Sequence, residues 1–500
     1  MTMDARLVSR IAASGAGLAL CVLIAPCGAA AARLQGDELA ARRFQTGLDF
    51  ARDGQYTEAL TDFEGVVELY PLSPVADNAL LEIARYHLEV TEDLDRAAEY
   101  AGRIVDDAAY SRQDAAPEAY IVLARASVAR GHTSENLDAA IAQLQRGLGL
   151  WPDARVVPQS LFFTGEAHRH AGRFGEALDA YGRVTAEYAA TLWAARASLG
   201  SAVLRAATGD PIAAMAELQG VRDRWPDTPE AETALERITI LYRLYIRPPE
   251  RTFTIVGEPF STARSPRIDE LLVNREGQVF FATDAGVSAT DTTAAARAPT
   301  GGRPRGLVLD RRGVVTAIIR GALTARETPP LQLSLPRPGQ EPKELREIDA
   351  AGVTAAGDWL IMDGDEREIH RFSALGDYRG VFVPGRVKRL AIGPNDQIAV
   401  VDRGNRIRLM AEGRELGEIP SKGPSYEIDE PLDVAFDVFG HLYVVDERQV
   451  FIFGRDRQLL RQFAPEVAPG RPRKITAFAL DRFGSLFFAD DDEEQIVQYQ

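Results

Sequence analysis

Apolar positions along the chain follow two different periods, and the change from one to the other divides the sequence. Across residues 37–245 they recur at intervals of three and four within segments rich in Ala, Leu, Glu and Arg, which predicts paired amphipathic helices. One stretch runs Gly47, Phe50, Gly54, Tyr56, Ala59, Phe63, Val66, Pro71, and a second runs Gly165, His168, Gly172, Phe174, Ala177, Tyr181, Val184. The order has a physical reading. The first small residue lets one helix approach its partner closely, the Gly before the aromatic turns the chain, and the Ala of the second helix sits where nothing larger fits. The closing Pro stops that helix. Beyond Arg247-Pro248-Pro249-Glu250 this periodicity gives way to short apolar segments separated by Gly, Asp and Arg, the signature of many short antiparallel strands.

Weaker copies fill the gaps in the helical half: Ala84 with Ala97, Ala124 with Ala140 and Pro152, and Gly200 with Ala214, Val221 and Pro226. Taking Gly47, Ala84, Ala124, Gly165 and Gly200 as equivalent gives spacings of 37, 40, 41 and 35. This half resembles the tetratricopeptide repeat, whose period is about 34, with small insertions in the linking turns. Five repeats are expected, followed by a capping helix from Pro229 to Leu244. Segments such as Tyr70-Pro71-Leu72-Ser73-Pro74 followed by Ala79-Leu80-Leu81 are similar to exported bacterial envelope repeat proteins, of the outer-membrane assembly lipoprotein and cell-division coordinator kind.

The second half repeats on a longer unit. Val434–Asp446 aligns with Phe478–Asp490, and earlier copies run Leu272–Asp284, Leu307–Ile319, Val353–Asp363 and Leu390–Asp402. Each reads strand, Asp-x-x-Gly turn, strand, Asp-led turn, strand, then a looser fourth strand, which predicts one blade of a β-propeller per unit. Val400-Val401-Asp402-Arg403-Gly404-Asn405-Arg406-Ile407 resembles the NHL repeat, and residues 251–500 as a whole resemble a six-bladed NHL-type propeller. The sixth unit runs out after three strands. Arg251–Val256 is a lone strand ahead of the first, so it is expected to pair onto the last blade and close the ring. The fold class is therefore multidomain α and β: a helical solenoid of tetratricopeptide type followed by an all-β six-bladed propeller. The expected domains are 1–32, a signal peptide; 33–247, the solenoid; and 251–500, the propeller. The linker is too short for free swinging, so a fixed orientation is expected.

Composition narrows the function classes. The 500 residues are 46% hydrophobic and 26% charged with net charge −16, and only four basic residues are lysine. Disorder and multi-span membrane insertion are excluded, and an acidic chain lacks the field that non-specific nucleic-acid binding needs. Both cysteines, Cys21 and Cys27, lie in the first 32 residues, where Arg6 and Arg10 precede apolar Ile11–Ala25 and a run of small residues Gly28–Ala32. That is an export signal, cut after Ala30, Ala31 or Ala32, and the mature chain then has no thiol. Two alternatives stay open for membrane association: lipidation at Cys27, after the degraded box Ile24-Ala25-Pro26, and an uncleaved anchor over Ile11–Ala32.

Chemistry is sparse. No Walker A loop, Gly-x-Gly-x-x-Gly, HExxH or nucleophile elbow occurs. His168 and His170 are two apart on a helix and make a poor metal pair. His168 is read as packing and His441, opening a blade strand, as solvated. Asp490-Asp491-Asp492-Glu493-Glu494 invites a calcium reading, but Asp490 shares its turn position with Asp363, Asp402 and Asp446, where an Asp side chain caps its own turn. No cofactor or metal is expected.

Helix A of each repeat lines the groove that such stacks commonly offer to a partner segment. The register places Arg52, Arg85, Arg125, Arg169, His170 and Arg205 on or near it as candidate partner-binding residues. Arginine forks suit carboxylates and peptide carbonyls. The function these observations imply is a non-enzymatic interaction scaffold or adaptor, periplasmic or secreted, and membrane-attached only if Cys27 is lipidated or the signal stays uncleaved. It would grip an envelope protein or peptide in the groove and a second ligand on the propeller. The alternatives are a propeller lyase or hydrolase with a metal in the central channel, which needs carboxylates converging there, and an outer-membrane protein assembly factor.

Overall fold

The computed structural model describes residues 34–261, 267–326, 328–365, 368–385, 387–411, 413–468, 470–490 and 492–500. The expected signal peptide, Cys27 and the alternative expected anchor lie outside the described residues. Among those described, no helix is long and apolar enough to cross a membrane.

Among the described residues eleven α-helices precede the first strand. They are α1 (34–52), α2 (Tyr56–Leu69), α3 (Ala76–Glu89), α4 (Leu94–Asp106), α5 (Ala116–Ala129), α6 (Ser134–Leu150), α7 (Val157–His170), α8 (Phe174–Glu187), α9 (Leu192–Ala207), α10 (Pro211–Arg224) and α11 (Pro229–Tyr245). Five pairs and a cap result, as the spacing predicts. A β-carbon on Gly47 would stand 2.7 Å from the Phe63 ring, and one on Gly165 would stand 2.5 Å from the Tyr181 ring. Close approach of helix A to helix B therefore depends on those glycines. Gly54 and Gly172, at φ +75° and +71°, turn the chain in the left-handed region that glycine adopts without strain. Ala59, Ala97, Ala140, Ala177 and Ala214 are all buried.

The chain forms two compact units: residues up to Arg130 with Asp138–Thr164, and Gly131–Leu137 with Gly165–Gln500. In the first, Phe63, Val66, Leu80, Ile83, Ile104 and Tyr120 belong to one apolar core.

In the second unit, among the described residues and beside two short two-stranded pairings, six antiparallel sheets of three or four strands follow the helices, termed blades I–VI here. Their innermost strands are Glu270–Val273, Pro304–Leu309, Ile348–Val353, Val387–Ile392, Asp433–Phe436 and Ile475–Leu480. Apolar clusters join each blade to the next, and a cluster containing Leu271, Phe281, Ala479 and Phe487 joins VI back to I. Second strands such as Val279–Thr283 and Ile398–Asp402 are buried along their whole length, because each blade is covered on both faces. That explains why they read as continuous apolar runs rather than alternating ones. The ring closes as expected, with a shift of a few residues: Ile255–Ser261 pairs antiparallel with Gln495–Tyr499 as the outer strand of blade VI, and Thr254 and Gln500 exchange backbone hydrogen bonds.

The turn aspartates act as the pattern predicts. Asp437 Oδ1 accepts from the Phe439 and His441 amides, and Asp481 Oδ1 from those of Phe483 and Ser485, at 2.7–3.0 Å. Asp363, Asp402, Asp446 and Asp490 likewise cap their own turns. The acidic run beginning at Asp490 includes Asp491, which lies outside the described residues; Asp490 itself is buried against Arg473 at 3.0 Å.

Within this second unit α9–α11 share one apolar cluster with blades V and VI, through Leu241, Leu244, Phe439, Tyr443 and Phe488. The buried Arg243 guanidinium donates to the carbonyls of Phe483 and Gly484 and lies over the Phe253 ring. His441, expected to be solvated, is 3% exposed. The expectation fails because α11 covers the turn that His441 follows.

Candidate functional site

The arginines singled out by the repeat register divide between the two units. In the first, Arg85 and Arg125 come from the A helices of consecutive repeats and meet in a cleft of about 410 Å³ that Tyr56, Leu60, Tyr86 and Val90 also line. The Tyr56 and Tyr86 rings meet at a tilt of 44° with centroids 5.6 Å apart, and Tyr56 is 40% exposed. Both guanidiniums are already paired: Arg85 with Glu82 at 2.6 Å and with Glu118, Arg125 with Glu89 at 2.7 Å. Arg125 also lies over the Phe163 ring. The cleft thus offers an apolar aromatic floor and alternating charges that a bound segment would re-pair. Arg52 is exposed, pairs with Asp49 at 2.7 Å and does not line this cleft.

In the second unit Arg169 and His170 turn inward. Arg169 pairs with Glu166 at 2.7 Å, Tyr181 donates to Glu166, and Arg169 Nη2 stands 2.9 Å from His170 Nε2. The His170 ring packs on His132 at 3.9 Å, and burial next to Arg169 pushes its pKa down to about 2. A neutral, mostly enclosed imidazole and an arginine held by internal bonds belong to packing between repeats, not to an open recognition surface. Arg205 is half-exposed and pairs with Glu217 at 3.0 Å.

A second concavity lies in the propeller; sequence reasoning named the central channel but none of the charged residues that line it. The six inner strands enclose a channel of about 350 Å³, walled by residues such as Leu271, Leu307, Ala350, Leu390, Val434 and Ala479. At the N-terminal ends of those strands it opens into a mouth of about 990 Å³ whose lining holds eight basic side chains against four acidic ones. Three carboxylates reach the channel, Glu270 from blade I, Asp349 from blade III and Asp433 from blade V, so the convergence that a metal-dependent propeller requires is partly present. Arg389 from blade IV stands between two of them, 3.6 Å from Glu270 and 4.0 Å from Asp433. Arg305 and Arg403 take Asp349 at 3.6 and 3.5 Å. A guanidinium fills the space between the carboxylates, so the donor set does not suit a divalent cation, which needs several oxygens to itself. Burial pushes Glu270 up to about 7 and Asp433 up to about 6 despite the opposing pull of Arg389.

A blade alignment carries the signal for this mouth. Arg320 and Arg403 occupy the same position after the second strand, following Ile319 and Asp402. Arg305 and Lys388 fall at the same irregularity of the inner strand, between Pro304 and Leu307 and between Val387 and Arg389.

These two surfaces are carried by a helical region of tetratricopeptide type and an all-β six-bladed propeller. The tetratricopeptide-repeat family profile matches residues 44–112 and 123–190. No curated protein matches the chain. Similar solved structures include the MamA protein, at 18% identity over 37% of this chain and 92% of that one with a TM-score of 0.30. A thermophilic tetratricopeptide-repeat protein of Thermus thermophilus matches at 20% identity over 39% and 95%, TM-score 0.31. A gluconolactonase of Xanthomonas campestris matches at 13% identity over 49% and 90%, TM-score 0.36. All three scores are low, and no residue role is carried across from them.

Proposed function

We propose that the protein is a non-enzymatic scaffold of the bacterial cell envelope, exported by its N-terminal segment, that holds a partner segment in the solenoid cleft. The observation that carries this reading is the cleft itself. Exposed Tyr56 and half-buried Tyr86 beside Arg85 and Arg125 supply aromatic surface and guanidinium forks, the residue types that dominate protein recognition energies. The partner is an envelope protein or peptide, and the location is periplasmic or secreted, with lipidation or an uncleaved anchor as routes to a membrane. Likeness to envelope repeat proteins and to NHL-type propellers belongs to this same reading.

Binding is favoured over metal-dependent lyase or hydrolase chemistry by Arg389, whose guanidinium stands where the channel carboxylates meet. Crosslinking pull-down from an envelope fraction tests the proposal, comparing the native chain with Arg85→Glu/Arg125→Glu. A partner captured by the native chain and lost by the variant supports the cleft. Capture that is unchanged in a variant of equal thermal stability overturns it.

A further inference from the structure

The strongest unassigned feature is the basic mouth of the propeller channel. The protein carries a net charge of −16, yet this one cavity reverses the sign, with twice as many cations as carboxylates on its walls. A local field opposite to that of the whole molecule concentrates anions where the rest of the surface repels them.

Its position leaves it accessible. Helix α11 packs on the turns at the C-terminal ends of the inner strands, at His441 and Phe483–Gly484, whereas the mouth lies at the N-terminal ends of those strands. Arg320 and Arg346 are exposed, and neither has a carboxylate partner among the described residues. Arg303, Arg305 and Arg403 are 50–63% exposed even in their ion pairs, and exposed pairs of this sort are weak and readily exchanged. Deeper in, Arg389 Nε is buried and makes no hydrogen bond, standing 4.0 Å from Asp433 Oδ1. The volume, about 990 Å³ narrowing into about 350 Å³, matches small-ligand sites of roughly 300–1,000 Å³, and the narrower part is walled largely by aliphatic side chains.

We propose that this mouth binds a small, multiply charged anion whose carboxylate or phosphate groups pair with the arginine rim from blades II–IV. The inference rests on reading the propeller as the protein's second binding surface. It fails separately from the solenoid proposal, because the groove experiment reads only Arg85 and Arg125. The charge of the mouth also responds to pH. Glu270 faces Arg389, Asp433 and Asp269, Asp433 faces Arg389, and Asp349 faces Arg305 and Arg403. With Glu270 and Asp433 both raised toward neutrality, acidification from about pH 8 to about pH 6 removes negative charge from the channel and strengthens anion binding.

The test is calorimetric titration of the full chain with naphthalene trisulfonate, whose charge is constant across this range, followed by competition with citrate, tripolyphosphate and glucose. Expected are one saturable site, affinity that rises as pH falls, and displacement by citrate or tripolyphosphate but not by glucose. The more effective competitor distinguishes carboxylate from phosphate recognition. Arg320→Ser/Arg346→Ser is expected to weaken binding about tenfold or more, roughly the loss of two exposed charge pairs. Glu430→Gln, which releases Lys388 from its 2.6 Å pair, is expected to tighten it. Absence of saturable binding overturns the proposal. So does unchanged affinity in both variants at native thermal stability, or binding of poly-glutamate with none of the small anions.

Discussion

The Tyr245 hydroxyl at the end of α11 lies 2.9 Å from Nε2 of His441 in blade V, and Nδ1 of the same imidazole lies 2.7 Å from Asp437. The assignment that satisfies both contacts has Nδ1–H donating to the carboxylate and Nε2 accepting from the phenol. A buried turn aspartate, a histidine and a tyrosine thus form one chain of hydrogen bonds from the propeller into the helical segment. Burial pushes the Tyr245 phenol up to about 12, so it stays protonated and able to donate across the physiological range.

Tyr245→Phe leaves His441 Nε2 buried without a partner and is expected to cost about 1–2 kcal/mol. Urea unfolding of native and variant chains measures it. An unchanged midpoint would show that this contact adds nothing to the joint.

Gly484 has φ +70°, and a β-carbon there would stand 2.9 Å from Ile240 Cγ1 of α11. Gly484→Ala therefore adds left-handed strain to a clash, with an expected loss of about 2 kcal/mol. Fluorescence of the folded chain through a thermal melt reads it. Gly257→Ala, also at positive φ but with open space around it, is the control and is expected to lose less.

Gly165→Ala places a methyl against Tyr181, whose ring also packs on Gly200 and whose hydroxyl donates to Glu166. Overpacking of this kind costs about 1–3 kcal/mol. It is expected to appear as lowered hydrogen-exchange protection in α7–α9 without change in the propeller's inner strands.

The raised carboxyls of the propeller channel set a pH dependence with a definite sign. A carboxyl whose folded pKa lies above its unfolded value opposes folding at high pH, and the penalty disappears as pH falls from the folded toward the unfolded value. For Glu270, raised from 4.5 to about 7, the window runs from about pH 7 down to about 4.5. Glu270→Gln is expected to raise the melting temperature at about pH 8 and to lose that advantage near pH 5. A gain that is the same at both pH values would assign the effect to packing instead.

Much of the architecture is legible in the chain. The order Gly47–Tyr56–Ala59–Phe63 is a local statement about how closely two helices can pack, and it needs nothing distant to be read. The same holds for the Asp-x-x-Gly turns, where Asp437 or Asp481 satisfies amides only two and four residues on. Even ring closure followed from counting strands, since three at one end and one at the other make a blade.

The candidate binding residues were less legible because charge has no period of its own. Arg125 and Arg169 both lie on A helices, α5 and α7, yet one lines an open cleft and the other is enclosed by Glu166 and His170. The difference lies in what packs over each helix. His441 reads as exposed from its turn and is buried only because α11 lies across it. The sequence by itself determined the two repeat types, their number and the closing strand, since these depend on contacts close in the chain or on strand pairing. Only the tertiary structure decided which arginines reach open space, and that Arg305, Arg320, Arg346 and Arg403 share one rim. Electrostatic grouping depends on distance through space, and the propeller brings together residues that the chain separates by whole blades.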